Sequence, residues 1–259
     1  MYEQMSSIGL NPTVRFVVIT ALRDRLFVSL LSLLAIAFGV SLYIGGGAVF
    51  EKSEMVVTFA AGAARAALVL GLTVFVAFHV ERIYDTREIE AILARAISRS
   101  NFVLAYWAGL VSVAVLLALP VVLFVVVFHI SAAGAVWWCL SLILEACIMV
   151  AFGVFAAITL ERAIPTIFTT VGFYALSRMV SFVLGIATHG DQSGMNAVAN
   201  PLFHAIAMFI PRLDLFCQTR WLVYGPDAGE NLWLIPVQFA IYVPLLLAMT
   251  MFDLRRKQF

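Results

Sequence analysis

Residues 81–102 read ERIYDTREIEAILARAISRSNF, and the reading of this stretch decides the fold. It is the most charged segment in a chain that is 63% hydrophobic and 12% charged, and long apolar runs flank it on both sides. A charged stretch in that position is a loop in water between two membrane spans. Its own pattern is that of a short amphipathic helix. Asp85 with Glu88 three residues on makes a capping box, and Ile89, Ile92, Leu93 and Ile97 then share one face, opposite Arg87, Glu90 and Arg95. A helix of this kind, carried on a loop at a membrane surface, is shaped to be gripped by a partner.

The composition outside the loop sets the class. A chain of 259 residues with a mean hydropathy of +1.03 holds far more apolar surface than a soluble domain could bury. A span needs roughly 20 apolar residues, and runs that long occur near residues 26–49, 55–80, 102–128, 132–160, 164–188 and 232–252. Six spans use most of the chain, so one all-α integral membrane domain over residues 1–259 is expected. The first apolar run is too long for a signal-peptide core and lacks a small-residue cleavage site, so span 1 is expected to stay in the mature protein. Cys139 and Cys147 lie eight apart on one predicted helix and Cys217 has no assignable partner, so all three read as free, buried thiols.

The net charge of +1 says little, but its placement says more. With six spans both termini share a side. That side would hold Arg15, Arg23, Arg25, Arg82, Arg87, Arg95, Arg99, Arg162, Arg255, Arg256 and Lys257, against Lys52, Arg212 and Arg220 on the other. The asymmetry places both termini and the 81–102 loop in the cytoplasm.

Taken in order, Asn11 and Pro12 read as the start of a helix over residues 11–25, with Val14, Val17, Val18, Ala21 and Leu22 as its apolar face. It is expected to lie at the membrane interface, with extension of span 1 as the competing reading. Span 2 begins rich in small residues, from Ala60 to Ala67, which suits close helix packing in lipid. Pro120 predicts a kink in span 3, and Trp137 and Trp138 sit where an outer interfacial belt would place them. Glu161 and Arg162 make a short turn that leaves spans 4 and 5 as antiparallel neighbours. Residues 189–231 are mixed, and their apolar piece of about 14 residues is too short to cross, so it reads as an interfacial or re-entrant helix on the outer face.

The chain carries no GxxxxGK[ST] loop, so it does not hydrolyse ATP by itself in the P-loop manner, and no acid, base or nucleophile cluster marks it as an enzyme. His79, His129, His189 and His204 are scattered without metal-pair spacing. Three charges stand inside apolar runs: Arg65, Glu145 and Arg178. Each costs roughly 2.5–3.5 kcal/mol if left alone in a bilayer, so they must face protein or a wet cavity. Counted along the helices they fall at similar depths, with Glu145 somewhat deeper, so they are candidates for either a structural ion pair or the lining of a transport path.

With these elements in place the chain resembles the permease subunits of the second class of ABC exporters. The resemblance rests on ERIYDTREIEAILARAISRSNF, which is similar to that family's ER...GTxELLLSRPISR...F loop, with Arg87 and Ala96 at positions where Gly and Pro are usual. PLFHAIAMFIPRLDLF at residues 201–216 is similar to the PNLDLF-type segment before the last span in one branch, and FDLRRKQF closes the chain in the family's manner. The resemblance implies a homodimer of permeases in a bacterial inner membrane, each copy docked on one of two cytoplasmic ATPase subunits that hold ATP and Mg. The chain itself would need no cofactor, and nucleic acid is not an expected partner. The loop helix, residues 85–96, would be the coupling helix, docking through Asp85, Thr86, Glu88, Ile89, Ile92, Leu93 and Arg95. The 11–25 helix would be the family's connecting helix, and the 189–231 segment could meet a periplasmic partner.

Other classes remain open at this level. A secondary transporter or channel would predict inverted repeats or a run of ionisable pore residues. A non-transporting assembly or regulatory protein could use the same ATPase to act through the 189–231 segment. The substrate is not written in the sequence.

Overall fold

The computed structural model describes residues 14–47, 52–86, 99–189, 210–227 and 229–256, and everything described outside the turns is helical. A first helix, α1, covers residues 14–23. Six long helices follow: α2 Arg25–Gly47, α3 Lys52–Asp85, α4 Arg99–Phe128, α5 Ala132–Leu160, α6 Ala163–His189 and α8 Leu234–Arg256. Between α6 and α8 lie a 3-10 turn, Leu213–Leu215, and the four-residue α7, Trp221–Tyr224. All six long helices are long and apolar enough to cross a membrane, so the chain is an all-α integral membrane protein.

The break between α1 and α2 is set by Asp24. Its carboxylate accepts from the Leu26 N–H at 3.0 Å, which caps α2 and ends any continuous helix through this point. The same carboxylate pairs with Arg82 at 3.1 Å. α1 is therefore a separate element, and only part of its predicted apolar face is packed: Val17 and Ala21 are fully buried, with Val17 seated on Gly109 of α4, Val14 and Val18 are partly buried, and Leu22 is exposed.

Helix α5 is the hub, touching α3, α4, α6, α7 and α8. It starts at a Ser131 side-chain cap and ends at Glu161, whose left-handed backbone (φ 60) turns the chain through Arg162 into α6. Spans 4 and 5 are thus antiparallel neighbours across a two-residue turn, as the short linker requires. Helix α4 continues through Pro120 to Phe128 as one helix. Close approaches occur where side chains are missing. A methyl group on Gly71 would meet Leu30, and one on Gly134 would meet the Trp221 carbonyl.

One boundary moves. The sequence reading starts the loop at Glu81, but α3 runs on to Asp85 and α4 already begins at Arg99. Hydropathy ends at Val80, whereas hydrogen bonding does not, because the charged residues find partners on the bundle. Glu81 Oε1 accepts from the Ala163 N–H at 3.0 Å, the Arg82 guanidinium meets Asp24, and Thr86 Oγ1 donates back to the Arg82 carbonyl. On the other side of the loop Arg99 Nη1 donates to the Leu254 carbonyl at 2.8 Å, close to the end of α8. The N-terminal helix, both loop stems, the α5–α6 turn and the C-terminal end of α8 therefore share one end of the bundle, called here the terminal face.

Candidate functional site

The opposite, distal face is where the chain departs from simple spans. Residues 211–222 dip into the bundle and climb out again. At the top, the Leu222 carbonyl accepts from the N–H groups of Ile130 and Ser131, at the α4–α5 turn. At the bottom, the Cys217 N–H donates to Ser141 Oγ at 3.0 Å. Ser141 lies roughly 15 Å along α5 from its cap, at about 1.5 Å per residue. Leu213, Phe216, Cys217, Trp221 and Leu222 are buried. The segment is irregular backbone that re-enters the bundle, a re-entrant loop, whereas the apolar piece expected from the sequence as an interfacial or re-entrant helix, residues 197–210, lies outside the described residues except for Ile210.

Irregular backbone at this depth survives only where protein satisfies its polar groups. Here side chains from four helices do so. Arg178 of α6 donates to the Leu213 carbonyl and, at 3.0 Å, to that of Phe216. Arg65 of α3 donates to the Cys217 carbonyl at 3.1 Å. Ser141 of α5 accepts from Cys217, and Gln238 of α8 accepts from the Arg212 N–H at 2.7 Å. Cys217 itself takes a left-handed backbone, φ 50, which aims its carbonyl at Arg65 and its thiol toward Ser141.

Glu145 completes the cluster. Its carboxylate is 3.8 Å from the Arg178 guanidinium, it is wholly buried, and neither oxygen has a hydrogen-bond partner among the described residues. The three intramembrane charges read from the sequence thus do converge, at the middle of α3, α5 and α6. What the sequence did not reveal is their shared load: the two arginines hold loop carbonyls, and the carboxylate balances part of their charge. Tyr174, one turn before Arg178 on α6, stands beside Arg65. Ser141, Tyr174, Cys217 and Gln238 carried no signal of their own, being single polar or sulfur groups in apolar surroundings.

Next to the arginines a pocket of about 610 Å³ opens between α3 and the loop, lined by Phe59, Gly62, Ala63, Arg65 and Arg178 and by residues 217–220. At its distal rim Arg220 is matched by Asp227 at 3.1 Å and by Glu230, and Glu230 also accepts from Trp221 Nε1 at 2.7 Å.

Of the docking residues read from the sequence, Asp85 is the last residue of α3 and Thr86 the turn after it, both exposed. Glu88, Ile89, Ile92, Leu93 and Arg95 lie outside the described residues. Compared with known proteins, the chain matches no family model and no curated protein.

Proposed function

We propose that the chain is the transmembrane permease subunit of an ATP-driven ABC-type exporter, working as a pair of copies and docking a separate cytoplasmic ATPase through residues 85–96. The terminal face is then cytoplasmic and the re-entrant loop faces outward. The observation that carries the reading is the 81–102 stretch, with its charged, amphipathic, family-like pattern, set between two spans at the terminal face.

The way its stems are held supports the same reading. A docking loop transmits force only if it is anchored, and here Glu81, Arg82 and Arg99 tie the stems to α6, to the α1–α2 junction and to the end of α8. Motion of a partner gripping the loop would reach at least three other elements through these contacts. Coupling of this type needs differential contacts with two states of the partner and no catalytic group in the membrane subunit. Helix α2 suits the pairing of two copies, since Val28, Leu33, Ile36, Val40 and Tyr43 leave it with a broad exposed apolar face.

The test is co-purification from native membranes. The full chain should bring down an ATPase with a P-loop, and Ile92→Asp, which charges the apolar face of the loop helix, should abolish that recovery and the stimulation of ATP hydrolysis. Unchanged recovery and stimulation would sink the reading.

A further inference from the structure

Among the described residues Arg65 and Arg178 together face one carboxylate, Glu145, so that cluster holds one formal positive charge in excess. The carbonyls of Leu213, Phe216 and Cys217 solvate these cations but bring no net charge. Arg65 is not used up, since its Nε is buried and has no hydrogen-bond partner among the described residues. An uncompensated cation in apolar surroundings calls for an anion, and the pocket of about 610 Å³ gives one a place to sit. The third guanidinium at the pocket, Arg220, is already matched by Asp227 and Glu230, so the excess belongs to the inner pair.

The pocket has two characters. Its floor is the guanidinium pair, whose planar forks suit phosphate or carboxylate oxygens. Its wall is the apolar face of α3 around Phe59, Gly62 and Ala63, where Phe59 is exposed and Gly62 has open space within 4 Å of where a methyl group would stand. We propose that this pocket binds an anionic amphiphile, with a phosphate or carboxylate head on Arg65 and Arg178 and its hydrocarbon along Phe59, Gly62 and Ala63. The head group replaces the missing counter-charge, and the tail covers a stretch of helix left bare by small residues. The site lies away from the proposed docking loop and does not depend on that reading.

The purified full-length chain in uncharged detergent, with no ATPase present, is titrated separately with dioctanoyl phosphatidic acid, dioctanoyl phosphatidylcholine and inorganic phosphate. Phosphatidic acid is expected to bind about tenfold or more tighter than either of the others. Gly62→Leu, which fills the wall, should leave the Tm without ligand unchanged and weaken phosphatidic acid binding about tenfold, and Arg65→Gln should weaken it comparably. Equal binding of the two lipids overturns the role of the arginines, and equal binding of inorganic phosphate overturns the amphiphile. Undiminished binding to a folded Gly62→Leu protein overturns the pocket, and that variant decides the matter even if Arg65→Gln does not fold.

Discussion

Glu145 and Arg178 lie 3.8 Å apart on neighbouring helices, with the carboxylate wholly buried. Breaking such a pair on one side leaves an unbalanced charge in the interior, which costs about 3–5 kcal/mol. Glu145→Leu is therefore expected to lower the thermal unfolding midpoint sharply, because two guanidiniums then stand with no carboxylate. Because Arg178 also holds two loop carbonyls, the pair is isolated by a double-mutant cycle with Arg178→Met, in which the two losses should sum to more than the loss of the double variant. Strictly additive losses would show that the two residues do not act as a pair.

Arg178 also holds the re-entrant loop by two carbonyls, and Cys217, fully buried at the bottom of that loop, reports on it. With Cys139 and Cys147 replaced by Ser, Arg178→Met should speed maleimide labelling of Cys217 by about tenfold or more, as local opening becomes easier. An unchanged labelling rate would mean that Arg178 does not hold the loop closed.

Glycine at position 134 is a contact requirement. A methyl group there would run into the Trp221 carbonyl, which is backbone and cannot swing aside. Gly134→Ala should cost about 1–3 kcal/mol of stability. Gly62→Ala, with nothing within 4 Å of the new methyl, should be neutral or slightly stabilising through helix propensity. Comparable melting losses in both variants would contradict the packing at the top of α5.

If the terminal-face loop is driven by an ATPase, its stems carry the force. Arg99→Leu removes the tie to the Leu254 carbonyl while leaving residues 85–96 intact. The ATPase should still co-purify, but the permease-dependent part of ATP hydrolysis should fall several-fold, on the scale of about 1 kcal/mol for one lost hydrogen bond. Loss of co-purification together with activity would place Arg99 in docking instead.

The six spans were legible because apolar runs of bilayer length have few other uses. The meeting of Arg65, Glu145 and Arg178 was legible for a related reason: lone charges in apolar helices must find company, and the rise per residue gives their depth. Their partners were not, because backbone carbonyls leave no mark in a sequence. Residues 211–222 lack a run long enough to span, and the left-handed turn falls on Cys217 with no Gly or Asn to announce it. The loop boundary was misplaced at Glu81 for another local reason. Hydropathy counts Glu81 and Arg82 as water-seeking, whereas the fold spends both on neighbouring helices.

The re-entrant loop also orders the assembly of the chain. Arg65, Ser141 and Arg178 precede it in synthesis, while Gln238, its remaining support, comes after it. As the spans are inserted from the N-terminus onward, two arginines enter the bilayer before the carbonyls that will solvate them exist. Until residues 211–222 emerge and tuck back between α3, α5 and α6, Glu145 is the partner among the described residues for these two cations, and the carbonyls that share their load are missing.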